Sequence, residues 1–339
     1  MGKNEFTPSE FLQHLKTSEA LYFDGQKPSR DFVDIHAQDL EKLGLSEVDP
    51  EKWLDVHFNE LFSLISHTVS EPTKLELLAS VAVGCVDTYE VNACIVRSRC
   101  GSVFAILVNR ALLTMLNHHV KLISAANYPS SVLYFEGFPV TSLAGNIYSR
   151  ASTAMLKHYY ATGKPIGPEL KLNLNSPAMK FVDQVLISLH TFVLAHEVGH
   201  FVNGDLELEI NFTGNIGLSE CGMVFGANVS HEMEFAADQF AFETLLRVLR
   251  ARGVSMSARR VLDLSVTLFF NFLRDISNRG SESHPTPSDR VLSVTCEFFG
   301  AEAAYLMKRS FNDLSIIAEF RDHVGDISIS ELLDARSLT

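Results

Sequence analysis

Apolar residues recur with a helical period over most of the chain, and short alternating or continuous apolar runs interrupt them in a few places. Residues 8–17, 50–69 and 73–84 read as N-terminal helices, with Asp49-Pro50 and Glu71-Pro72 as breaks. Residues 91–108, rich in valine, isoleucine and cysteine, read as a hairpin turning around Arg99-Cys100-Gly101-Ser102. The longest apolar helical run, Ala178 to Ala195, is entered through Ser176-Pro177 and stopped by Gly204. Leu206 to Phe212 alternates like a half-exposed strand, and helices resume at 231–252, 257–279 and 289–308 before a C-terminal helical pair. Between these runs lies a glycine-spaced loop, Gly214 to Met223, which suits turns or a mobile lid. No internal repeat or low-complexity segment is present. The pattern predicts a mainly α, α+β fold with a small β-sheet or hairpin.

The late turns of the longest helix carry His196-Glu197-Val198-Gly199-His200, an HExxH motif. On a helix, positions four apart share a face, so both imidazoles can reach one divalent ion while Glu197 points toward a metal-bound water. The buried helix is a rigid support for such a site. Against this stands the plainer alternative that His196 and His200 are ordinary core or surface histidines.

A catalytic zinc needs a third protein ligand and an open fourth position. Ser230 opens a second strong helix pattern in which Glu234 and Asp238 stand four apart on one face. Glu234 is the better third ligand, because Asp238, one turn on, can accept a hydrogen bond from a ligating histidine and fix its tautomer. Glu232 is the rival, but its neighbour one turn on is Ala236, which offers nothing comparable. Acidic residues at this spacing otherwise belong to a solvated helix face.

HEVGH followed by Glu234 and Asp238 resembles the gluzincin metallopeptidases, whose third ligand is a glutamate on a downstream helix. Glu234, Ala237 and Asp238 match the glutamate-x-x-alanine-aspartate segment of the HtpX-like and CAAX-prenyl-endopeptidase-like group, and Ser283 to Val291 is similar to its HP-then-arginine segment. Asn92-Ala93-Cys94 and Ile106 to Leu113 echo that group's strand and following helix. The resemblance spans Ala178 to Val291 and implies a zincin-type helical metallopeptidase domain holding one Zn2+ per chain on His196, His200 and Glu234, with Glu197 as the base. It also implies His284 and Arg290 as donors to the developing negative charge. On the residues alone, Pro285 and Pro287 make an interhelix turn, Ser288 a cap, and Arg290 a salt-bridge partner of Asp238 or Glu282. His284 occupying the open metal position, which would make the enzyme latent, is a third expectation. A further resemblance, to the Lit-like phage-exclusion peptidases, rests on the same zinc motif in a chain of this general size. The organisation expected is an N-terminal helical region over 1–75, a metallopeptidase domain over 76–310 with an insertion at about 117–177, and a C-terminal helical tail over 311–339.

The 339 residues, 46% hydrophobic and 20% charged, suffice for a sizeable buried core. Five scattered cysteines lack the spacing of a disulfide framework or a structural zinc module, which points to a reducing compartment. Met1 to Phe6 lacks the apolar core of a signal peptide, and a cytoplasmic location is expected. Charged residues such as Lys121, Asp183, Asp263 and Arg274 break the longest apolar windows, so no membrane span is expected. A net charge of −13 argues against a nucleic-acid partner. Arg247, Arg250, Arg252, Arg259 and Arg260 fall at helix ends, where positive charge complements the dipole.

Two functions remain in view. One is a zinc endopeptidase acting on an intracellular protein or peptide, regulated or latent, in stress response or phage defence. The other is a catalytically silent binding or regulatory protein built on a zinc-supported scaffold. The intact Glu197 favours the enzyme, since a purely structural site has no use for that carboxylate. Substrate and oligomeric state are not legible.

Overall fold

Val81-Ala82-Val83-Gly84-Cys85-Val86, whose first four residues fall in the stretch expected to be helical over 73–84, is a strand in the computed structural model of the chain. A β-branched, almost continuous apolar run suits a strand covered on both faces better than a helix end. The structure describes residues 6–17, 41, 47, 49–87, 91–98, 101–127, 132–135, 138–140, 155, 158, 162, 170–174, 176–206, 223–225, 230–276 and 285–313.

The elements run α1 (Pro8–Thr17), α2 (Pro50–Thr68), α3 (Pro72–Leu78), β1 (Val81–Val86), β2 (Ala93–Ser98), β3 (Phe104–Asn109), α4 (Arg110–Asn127), β4 (Val132–Phe135), β5 (Phe138–Val140) and β6 (Leu170–Asn173). Then come α5 (Ser176–Val202), β7 (Met223–Phe225), α6 (His231–Ala251), α7 (Ala258–Val261), a π-helical turn (Leu262–Val266), α8 (Thr267–Ile276) and α9 (Pro287–Asp313). The fold is thus mainly helical with small sheets, of α+β class. One sheet has the order β1-β3-β2-β7, parallel between β1 and β3 and antiparallel elsewhere. The expected hairpin is β2–β3, turning at Gly101 with φ +73°. The second sheet, β5-β4-β6, lies in the stretch expected to be an insertion.

Alternation along the first sheet divides its side chains between two cores. Val83, Cys85, Ile95, Ile106 and Val108 enter the main core with Leu54, Phe58, Leu61 and Ile65 of α2. Val86, Val96, Ala105 and Leu107 face the other way, where Phe11 and Leu15 of α1 cover them. At Gly84 the cover is close, since an added Cβ would lie 2.9 Å from a Leu12 methyl. Lys16 and Asp55 form an ion pair at 2.5 Å, and Asp55 also accepts the Cys85 N–H at 2.9 Å.

The main core is organised around α5. Its window Ala178–Val202 is long and apolar enough to cross a bilayer, contrary to the expectation that no window would be. The window is 78% buried inside the protein, under α4, α6, α2 and the π-turn. The helix expected over 257–279 is interrupted by that π-turn, which carries Leu262, Ser265 and Val266 into the core. The C-terminal helix begins at Pro287 and breaks at Gly300, where φ is +84°. Its cap is Thr286 rather than Ser288: Thr286 Oγ1 accepts from Asp289 N at 3.2 Å and donates to Asp289 Oδ2 at 2.6 Å. The expected strand over 206–212 apart from its first residue Leu206, the loop over 214–223 apart from its final Met223, and the C-terminal pair beyond Asp313 lie outside the described residues.

Candidate metal centre

Helices α5 and α6 pack so closely that the last turns of one face the first turns of the other. Ser230 caps α6, its hydroxyl accepting from Met233 N at 3.3 Å. From that cap, Glu234, Ala237, Asp238 and Ala241 fall on the buried face of α6, while Glu232 is turned to solvent. Helical periodicity therefore puts Glu234, whose neighbour at i+4 is also acidic, and not Glu232 on the buried face.

His196, Glu197 and His200 are all buried, as is Glu234. One ligand atom from each of His196, His200 and Glu234 lies within 4.8 Å of the others, a group that could hold a metal ion. His196 Nε2 is 3.5 Å from Glu234 Oε2, His200 Nε2 is 3.7 Å from Glu234 Oε1, and the two Nε2 atoms are 3.1 Å apart.

The opposite nitrogens explain why the Nε2 atoms converge. His196 Nδ1 is 2.9 Å from Asp238 Oδ1, and His200 Nδ1 is 2.8 Å from Asp205 Oδ2. An ionised carboxylate only accepts, so each Nδ1 is the donor to its carboxylate, and a ring in its neutral form then has its lone pair at Nε2; Arg290 Nη2 lies 3.4 Å from the Nε2 of His196. Two lone pairs at 3.1 Å cannot satisfy each other; a proton or a cation between them can. The donor set, two imidazole nitrogens and a carboxylate with both rings backed by carboxylates, fits a zinc ion of the catalytic type.

Electrostatics point the same way. Burial by itself would lower the His200 pKa, but the Asp205 hydrogen bond and the charges of Glu197, Glu234 and Asp205 outweigh it and leave the pKa raised. The site therefore favours positive charge. Asp238 is fully buried, and burial would raise its pKa, yet the Arg290 charge and hydrogen bonds hold it down at about 2.

Arg290 reaches this cluster from the first turn of α9. Its Nε is 2.7 Å from Asp238 Oδ2 and its Nη2 2.7 Å from Asp238 Oδ1, a bidentate fork, while Nη1 lies 3.1 Å from Glu234 Oε2. The guanidinium also sits over the Phe270 ring, 5.1 Å from its centroid. Asp238, one of the two salt-bridge partners considered for Arg290 on residues alone, lies beside it. Pro285, Thr286 and Pro287 form the entry to α9; His284 and Glu282 lie outside the described residues.

Sequence reasoning did not identify Asp205 or Phe270. Asp205 is detectable as an acidic residue directly after the glycine that stops the HExxH helix. Phe270 is one of many phenylalanines, and only the fold places it beneath Arg290.

Residues 162–308 match the model of a family described as Peptidase U49. The matched stretch contains the HExxH motif, Asp205, Glu234, Asp238 and Arg290, and its likeness supports a peptidase. No curated protein and no solved structure matches the chain.

Proposed function

We propose that the protein is a zinc-dependent endopeptidase whose metal is held by His196, His200 and Glu234. The observation that carries this reading is the convergence of the two Nε2 atoms, 3.1 Å apart, with the Glu234 carboxylate, each ring held from behind by another carboxylate. When bound, the ion supplies Lewis acidity toward the scissile carbonyl and lowers the pKa of water there to about 7.

Glu197 follows His196 directly on α5 and is buried with it. Its role is to take the proton of the attacking water and deliver it to the leaving amine, the two duties of a general base that becomes a general acid. His196 and His200 keep their Nδ1 protons on Asp238 and Asp205 throughout, so neither ring is free to turn. Arg290 acts here as a positioning residue: its fork holds Asp238 ionised, and its Nη1 forms an ion pair with Glu234. His284 would supply the donor to the oxyanion, the function that its resemblance to the HP-then-arginine segment implies. The same resemblances extend the proposal to cleavage of an intracellular protein in stress response or phage defence.

The test uses the purified full chain. Metal analysis should find close to one zinc per chain, lost in His196→Ala and Glu234→Ala and retained in Glu197→Gln. Cleavage of an unfolded casein should be abolished by a chelator and by Glu197→Gln. Zinc retained in full by both ligand variants would remove the proposed site, and zinc-loaded wild type without turnover would favour a silent scaffold.

A further inference from the structure

The turn that ends α5 has the hydrogen bonds of a Schellman motif. Asp205 N donates to His200 O at 3.0 Å, and Gly204 N donates to Phe201 O at 3.2 Å, with Gly204 in the left-handed region at φ +80°. In that motif the residue just past the glycine comes back over the residue five before it, and the pair usually makes an apolar contact. Here that pair is Asp205 and His200, and the contact is the 2.8 Å carboxylate–imidazole bond. Both side chains are 7% exposed, so this is an enclosed pairing rather than a surface ion pair.

We propose that this helix stop is part of the metal site: Gly204 sets the position of Asp205, and Asp205 positions His200 for the metal. The proposal rests on the zinc reading above and adds two positioning residues to it. The chemistry is direct. A carboxylate on Nδ1 fixes which nitrogen carries the proton, holds the ring plane, and makes Nε2 a better donor; losing such a partner typically costs about 10 to 100-fold in metal affinity. His196 obtains the same support from Asp238, a residue of the neighbouring helix. His200 obtains it from within its own helix end, through a backbone bend that only a left-handed residue permits. An added Cβ at Gly204 would meet nothing within 4 Å, so Gly204→Ala acts through backbone conformation alone.

The experiment measures zinc affinity of the full chain by competition with a chromophoric chelator, alongside the thermal midpoint of the metal-free protein. Asp205→Asn should lose about 10 to 100-fold in affinity while its metal-free midpoint stays near that of wild type. Gly204→Ala should lose affinity in the same direction, and Gly204→Asn should restore part of it, because asparagine tolerates the left-handed region. Wild-type affinity in Asp205→Asn, with zinc lost in His196→Ala, overturns this proposal alone. Equal affinities in wild type and His196→Ala overturn the metal site itself. Should Asp205→Asn not fold, 15N spectra of wild-type imidazoles decide: zinc on Nε2 of His200 with a protonated Nδ1 supports the proposal, and any other state of that ring refutes it.

Discussion

A methyl group at Gly199 would stand 3.0 Å from the Cα and 3.2 Å from the carbonyl oxygen of Ala237. The glycine of the HExxH helix and the alanine between Glu234 and Asp238 are therefore a point of close approach of the two ligand helices. Both neighbours at that point are backbone atoms, which cannot swing aside as a side chain end would. Gly199→Ala should push α6 away, separating Glu234 and Asp238 from the histidines. We expect a loss of roughly 1–3 kcal/mol in denaturant unfolding and a disproportionate loss of zinc affinity. A variant that keeps wild-type affinity would show that the helices can slide without disturbing the site.

The raised pKa of His200 makes zinc binding compete with a proton. A histidine whose folded pKa lies above its unfolded value stabilises the metal-free protein below the unfolded value, and that contribution is lost as pH rises through the folded pKa. Zinc needs the neutral ring, so its binding expels the proton and its apparent affinity should climb as pH rises until the folded pKa of His200 is passed. Chelator competition at several values between about pH 5.5 and 8.5 reads this directly. A flat profile would mean that His200 is not a ligand.

Much of the site was legible because it is written in helical period. His196 and His200, and again Glu234 and Asp238, each repeat at four residues, and a turn of helix is enough to put each pair on one face. What escaped depends on geometry between elements or on single dihedral angles. Asp205 reaches His200 only because Gly204 has φ +80°, and Phe270 reaches Arg290 only once α8 and α9 are packed. Val81 to Gly84 fall in the expected 73–84 helix because the preceding Leu75 to Leu78 are helical, while the partner of β1, β3, lies more than twenty residues away. Ser288 has the residue type of a cap, but Thr286, just before Pro287, holds the capping geometry.

Arg290 joins two acidic residues of α6, and its replacement separates charge from geometry. Arg290→Leu leaves Asp238 and Glu234 buried without the guanidinium, and removing one partner of a buried pair costs about 3–5 kcal/mol. Arg290→Lys keeps a charge but loses the fork, and should fall between leucine and wild type. A bound divalent ion supplies part of the missing positive charge, so the stability lost in Arg290→Leu should be smaller with zinc than without. Denaturant unfolding of both variants, with and without zinc, checks the order. Equal losses in the two states would place Arg290 outside the electrostatics of the metal.

His119 of α4 has a cost of its own. Both of its ring nitrogens are buried without a hydrogen-bond partner among the described residues, and the ring tilts against Phe272 at 5.4 Å. Burial pushes its pKa down to about 4, so the folded protein holds it neutral where the unfolded chain takes up a proton near 6.5. Between those values the unfolded chain binds more protons, and stability must fall as pH falls through that window. At about 1.4 kcal/mol per unit, the loss approaches ~3 kcal/mol by pH 4. His119→Phe preserves the ring contact and removes the titrating group, so the variant should gain on wild type by ~2 kcal/mol between pH 7.5 and pH 5. The comparison uses the change with pH, which any fixed packing penalty of the larger ring leaves untouched. If wild type and His119→Phe lose stability in parallel over that range, His119 is not held neutral in the folded protein.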